Sequence, residues 1–273
     1  MSLHHKTSPA AIIGSLFAHR ELVWELVKRD FVGRYKGSFI GVAWSLFNPL
    51  LMLVVYTLVF SVAFKARWGT DEESKVTFAL VLFSGMIVHG LFAECLNRAP
   101  WLIVSQPNYV KKVVFPLEIL PWVTVISALL HFLVSLSLLL VFCVATGAGL
   151  KPGIVFIPIV MLPLVLMALG LTWLFASLGV YLRDIAQSTG IITTVLMFLS
   201  PVFYSSSSLP ENFRVLLAFN PITLPVEQLR DVMLWGKAIH WGDWGVSLLL
   251  SCATAWIGFW WFQKSRRGFA DVL

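Results

Sequence analysis

Six stretches of this chain are apolar for long enough to cross a lipid bilayer, and they limit the fold before anything else is read. They run over about 41–64, 76–95, 118–146, 154–181, 186–204 and 244–262, against the roughly 20 mostly apolar residues a span needs. In hydrocarbon every backbone N–H and C=O must find its partner inside the protein, so runs of this length fold as helices. Only 12% of the residues are charged, about half the roughly 25% of a soluble domain. Mean hydropathy is +0.84. The 273 residues suit one membrane domain and leave no room for a second, globular one. The predicted class is an all-α integral membrane protein of six transmembrane helices, in a single domain over 1–273.

A net charge of +6 might suggest a nucleic-acid partner, but the placement of the charges argues for none. Basic residues cluster beside apolar runs, where they set orientation and touch anionic membrane lipids. With six spans and the N-terminus inside, 13 of the 20 lysines and arginines fall on the cytoplasmic side. Both termini are therefore expected in the cytoplasm. The opening residues 1–23 lack an apolar run strong enough for a cleavable signal. Cys95, Cys143 and Cys252 sit in or beside apolar segments without paired spacing, which suits small buried hydrophobes and neither a disulfide nor a metal site.

Ahead of the first span, Val23, Trp24, Val27, Phe31 and Tyr35 recur at three- and four-residue spacing, with Glu21, Glu25, Lys28, Arg29 and Lys36 between them. This is an amphipathic pattern suited to an interfacial helix over about 10–36. The bland alternative is a simple anchor. Arg34-Tyr35-Lys36-Gly37-Ser38, then Gly41, Trp44 and Asn48-Pro49, resembles the opening of the ABC type-2 exporter permeases. The closest likeness is to subunits that export lipid-linked O-antigen, capsular polysaccharide or teichoic acid. Tyr181-Leu182-Arg183-Asp184-Ile185, Ser200-Pro201-Val202-Phe203-Tyr204 and Phe269-Ala270-Asp271-Val272-Leu273 agree, so the resemblance covers essentially the whole chain. It implies short re-entrant gate helices within 205–242, a segment whose apolar pieces are too short to span. An amphipathic loop on the outer surface is the competing reading of that segment.

No phosphate-cradling GxxxxGK[ST] run occurs, so the chain itself is not an ATPase and holds no cofactor. An exporter of this kind would take ATP and Mg in a separate ATPase subunit. Three surfaces are on offer for docking it. They are the amphipathic helix with Glu21, Glu25, Lys28, Arg29 and Arg34, the proline-bracketed stretch with Tyr109, Lys111 and Lys112, and the Arg183-Asp184 turn. The positive-inside bias alone would explain Lys111 and Lys112, though not the prolines and aromatics around them. His89 and His131 are expected neutral and packed, since a charge at mid-bilayer costs about 2.5–3.5 kcal/mol. Glu94 and Glu118 read as surface charges near Arg98 or Lys112, and no carboxylate falls at mid-membrane to serve a proton relay. Most of the 12 tryptophans sit at span ends as an interfacial belt.

Sugar rings stack on aromatic faces, which makes Tyr56, Phe60, Phe198, Phe203 and Tyr204 the candidates for a channel lining. One six-span chain cannot easily enclose a polymer-wide channel, so the expected assembly is a homodimer with two ATPase copies moving a lipid-linked glycan across the bacterial inner membrane. A permease for drugs or small lipids would share these motifs. A membrane-bound acyl- or glycosyltransferase would need clustered acids, bases or metal ligands at one membrane face, and no such cluster is visible. A passive channel or scaffold would leave the docking-like helices without a role.

Overall fold

The computed structural model describes residues 7–34, 36, 43–59, 75–111 and 115–273. Among them no strand occurs. Four helical segments, Val76–Arg98, Leu117–Ala145, Pro152–Tyr181 and Trp241–Val272, are long and apolar enough to cross a membrane. They contain the helices α4 (Lys75–Arg98), α7 (Leu120–Ala145), α8 (Ile157–Tyr181) and α12 (Trp241–Ser265). These are the second, third, fourth and sixth of the expected spans.

The first and fifth expected spans appear as α3 (Trp44–Thr57) and α9 (Ile185–Phe198), 14 residues each. At 1.5 Å per residue α9 is about 21 Å long, short of a hydrocarbon core of about 30 Å, whereas the described part of the first span stops at residue 59. Residues 60–74, which the first span was expected to enter, lie outside the described residues. The fifth was expected to reach residue 204, but α9 ends at Phe198. Pro201 lacks a backbone N–H and disfavours helical backbone at the residue before it. Pro158 sits in the first turn of α8, where a proline is readily accepted, and Pro163 lies inside the helix.

The N-terminal region breaks at His19 into α1 (Pro9–Ala18) and α2 (Arg20–Gly33). Two short helices, α5 (Trp101–Val104) and α6 (Pro107–Lys111), follow α4. Between α9 and α12 lie α10 (Glu211–Ala218) and α11 (Thr223–Arg230), the latter running on as a wider π turn over Asp231–Trp235. The chain closes with α13 (Phe269–Val272).

Helix α4 stands at the centre, packed against α3, α7, α8, α9 and α11. The most extensive seam joins α8 and α12, and small residues allow it. A Cβ at Gly170 would lie 2.6 Å from the backbone of Ala255, and one at Gly258 would overlap the carbonyl of Gly170. Without a hydrophobic drive between helices in lipid, such close backbone approach is what holds them together. Trp173, fully buried, then packs edge-on to Phe259 at 5.0 Å.

Candidate functional site

Helix α2 turns one face to protein. Val23, Leu26 and Val27 are buried with Ile119 and Val123 at the start of α7. Further along, Phe31 stacks on His131 of α7 at 4.9 Å. Rising residue numbers on α2 thus meet rising numbers on α7, so the two helices run side by side in the same direction. Glu21, Glu25, Lys28 and Arg29 occupy the exposed side, with Lys28 and Glu25 paired at 2.8 Å. Trp24, read from sequence on the apolar face, is 50% exposed.

Arg29 donates to the Tyr109 hydroxyl at 3.2 Å, which joins α2 to α6. Tyr109 stacks on Phe115 at 4.3 Å, and Arg266, just past α12, donates to the Phe115 carbonyl at 2.8 Å. Arg266 also pairs with Glu118, the partner the sequence reading had sought at Arg98 or Lys112. Phe269 of α13 is fully buried beside Tyr181, whose hydroxyl donates to the Ser265 carbonyl at 2.8 Å. Two of the three predicted docking surfaces are thereby joined with the C-terminal segment at one end of the bundle. Lys111 is exposed on α6, and Arg183 and Asp184 are exposed in the turn just after Tyr181. Lys112 lies outside the described residues.

Behind this surface is an ion network. Arg98 grips Asp30 through both guanidinium nitrogens, one contact at 3.0 Å. Arg34 bonds Glu94 and lies 3.6 Å from Asp30, while Arg98 also reaches Glu94 at 3.5 Å. His131 Nδ1 is 2.9 Å from Arg34 and 3.1 Å from Glu94. It therefore accepts from the guanidinium or donates to the carboxylate, but not both. Burial pushes the Asp30 carboxyl up, yet the Arg98 hydrogen bonds and charge outweigh this and hold it below the usual carboxylate range. Glu94 is thus a member of a partly buried network, not a plain surface charge, and His131 is bound into that network rather than merely packed. Arg34, Glu94 and His131 also line a cavity of about 410 Å³ among α3, α4 and α7, with Trp44, Met52, Met86 and Phe132 among its other walls.

The opposite end is organised by Arg230, 3% exposed at the end of α11. It donates to the carbonyl of Val81 at 2.9 Å, to the Ser84 hydroxyl at 3.1 Å and to the carbonyls of Pro201 and Val202. These bonds tie α11 to α4 and to the turn after α9. A Cβ at Gly85 would stand 2.6 Å from the guanidinium, so glycine leaves the room Arg230 occupies. Of the candidate channel aromatics, Phe198 and Phe203 lie 5.6 Å apart, and the Tyr204 hydroxyl donates to the Phe198 carbonyl at 3.0 Å. Phe198 is 58% exposed. Phe60 and the side chain of Tyr56 lie outside the described residues, so the first-span half of that lining has no described counterpart.

Asp30 and Arg230 were not singled out from sequence as organisers, and Arg98 only as a neighbour of Glu94 or Glu118. A signal for Asp30 and Arg98 was present in Asp30/Arg34 and Glu94/Arg98, each four residues apart on a helix. Arg230 gave no such hint, because Glu227 and Asp231 beside it make it look like one of a run of exposed charges.

A sequence description of the ABC-2 type transporter family matches residues 21–234, which takes in α2, the ion network and the Arg230 anchor. The chain belongs to the ABC-2 type transporter family. Among its relatives, the O-antigen export system permease protein RfbA of Myxococcus xanthus is 30% identical over 213 residues, covering 77% of this chain and 79% of that protein. A Klebsiella pneumoniae protein of the same name is 24% identical over 264 residues, covering 96% and 97%. As an ABC-2 transporter chain, it is a multi-pass membrane protein.

Proposed function

We propose that this chain is the membrane permease subunit of an ATP-driven exporter of lipid-linked polysaccharide, of the O-antigen or capsule type. The observation that carries this reading is the match, along 96% of the chain, to a protein named for O-antigen export. In this reading two copies pair in the bacterial inner membrane, each with six spans. Both termini and the α2–α6 surface face the cytoplasm, and two copies of a separate ATPase, which holds ATP and Mg, dock there. The placement of 13 of the 20 basic residues on that side supports the orientation. The short length of α10 and α11 and the burial of α11 support their role as re-entrant gate helices of one domain spanning 1–273. Exposed Phe198 beside Phe203 and Tyr204 supports an aromatic path for sugar rings.

The docking half of this reading is tested by reversing two charges, Glu25→Arg with Arg29→Glu. Exposed ion pairs are worth only about 0–1 kcal/mol, and Val23, Leu26 and Val27 still hold α2 to α7, so folding and insertion survive. Charge complementarity fixes register between partners. The double variant is expected to insert at normal levels yet retain less than about a tenth of the co-purifying ATPase. Unchanged assembly and export would reduce α2 to an anchor.

A further inference from the structure

A second cavity, of about 480 Å³, opens at the Arg230 end of the molecule among α11, the turn after α9 and the first turn of α12. That volume falls within the roughly 300–1,000 Å³ of small-ligand pockets. Helix α11 and its π turn have two faces. Val226, Leu229, Val232 and Met233 are buried in the core, while Leu224, Glu227, Gln228, Asp231 and Trp235, at three- and four-residue spacing, line the cavity. Gly236, in the left-handed conformation, ends the π turn, and the loop beyond it is tied to the polar face. The Lys237 ammonium lies 3.2 Å from the Asp231 carboxylate. Gln228, 2% exposed, donates through its amide nitrogen to the His240 carbonyl at 3.2 Å. That bond fixes which way the amide points, and its oxygen meets no donor among the described residues. Partly buried Glu227 likewise makes no hydrogen bond or ion pair among them, although a carboxylate taken out of water without a partner is costly. A plain solvated groove would account for exposed Lys237, and the helix dipole for Asp243 in the first turn of α12. Neither accounts for the open oxygen of buried Gln228, or for Glu227 and Trp235 on the same helical face.

These walls select among ligands. An anion would face the carboxylates of Glu227, Asp231 and Asp243, with Lys237 already paired and the Arg230 guanidinium held by carbonyls. Among the described residues no three His, Cys, Asp or Glu side chains converge as ligands of a metal ion. A drug-like molecule wants predominantly apolar walls. A sugar fits better. Its neighbouring hydroxyls both donate and accept, which suits planar carboxylate and carboxamide acceptors beside the Ser206 hydroxyl and the Lys237 ammonium. Its C–H face suits the indole of Trp235. We propose that this cavity binds a sugar unit without negative charge, belonging to the exported glycan, on the outer side of the membrane. Glu227 and the Gln228 oxygen accept from its hydroxyls, and Trp235 covers its apolar face. This rests on the exporter reading and deepens it with a sugar site outside the membrane-spanning helices.

Protection of a single cysteine tests the proposal on the full chain, assembled with its ATPase in lipid nanodiscs. Cys95 and Cys143 are buried, so Cys252→Ala alone clears the background, and Ser206→Cys puts the reporter in the cavity wall. The probe is glycan from the same source, cut from its lipid by mild acid. Saturating glycan is expected to slow labelling of Ser206→Cys by an impermeant maleimide severalfold. Labelling of Glu211→Cys, on α10 outside the cavity, is expected to stay unchanged. Adding Glu227→Ala should raise the glycan concentration needed for protection about tenfold, as loss of a hydrogen bond to a charged group does. Trp235→Ala should weaken protection in the same way, and Trp235→Phe should keep most of it by supplying another aromatic face. Three results would overturn the proposal: no protection at Ser206→Cys, unchanged protection after Glu227→Ala and Trp235→Ala, or protection by calcium chloride or sodium phosphate without glycan. Export of glycan by the unsubstituted chain in cells keeps the two readings apart. Export without protection removes the sugar site alone, and absence of both removes the exporter reading with it.

Discussion

Alanine at Gly258 is expected to destabilise the chain by about 1–3 kcal/mol, the usual cost of forcing an extra carbon into a packed interior. Alanine at Gly245 on the same helix should leave it unharmed. The chemical change is the same in both cases. At Gly245 nothing lies within 4 Å of the added carbon, whereas at Gly258 it overlaps the backbone carbonyl of Gly170. Backbone cannot rotate out of the way as a side chain can, so α8 and α12 must part. Their separation also strips cover from Trp173, packed on Phe259. Leucine at Gly258 should prevent recovery of folded protein altogether. Thermal unfolding in detergent, followed by size-exclusion recovery, separates the variants. Equal melting of the alanine variants at 245 and 258 would show that the seam is looser than this packing requires.

The second large effect is expected at Arg230. Methionine there has a comparable stem but no donors, so the carbonyls of Pro201 and Val202 lose the guanidinium. Hydrogen bonds to charged groups contribute about 1.5–3 kcal/mol, and relief of burying the charge offsets part of that. The net loss should be on the order of 2 kcal/mol, felt chiefly as release of α11 from α4. Lysine should not rescue, because a single ammonium cannot span acceptors on α4 and on the 200–202 turn together. Gly85→Val should act through the same group by displacing the guanidinium. The two substitutions share one interaction, so their combined effect should be clearly less than additive. Proteolysis within 205–242 and the melting temperature report the loosening. Full additivity would mean that Gly85 and Arg230 act separately.

Most of the fold was legible because bilayer depth imposes a length on apolar runs that little else in a sequence mimics. Expected spans 76–95, 154–181 and 244–262 fall inside observed helical segments, and 118–146 passes the end of its segment by one residue. The end of the fifth was overrun because apolar Val202 and Phe203 continue the hydropathy past Pro201, while the backbone ends its helix at Phe198. The charged face of α2 was legible from spacing, and Arg29 and Tyr109 were both singled out, though not as partners. Contacts between residues far apart in the chain, such as Asp30 with Arg98 or Arg230 with Val81, leave no local periodicity. Both pairs bring together residues 68 or more positions apart. Glu94 looked ordinary beside Arg98 or Lys112 and His131 looked ordinary alone, and only helix packing sets both beside Arg34.

In the function proposed above, this chain is the membrane half of an exporter whose motor is another polypeptide. The direct measurement is reconstitution of the purified chain in proteoliposomes, with and without an ABC ATPase from the same organism, using lipid-linked glycan from the same source. Translocation is followed by the accessibility of the glycan to an impermeant glycosidase. No ATP hydrolysis and no translocation are expected from the chain alone, and ATP-dependent translocation once both proteins are present. Hydrolysis by the chain alone, or translocation of glycan without the ATPase, would contradict the proposed function.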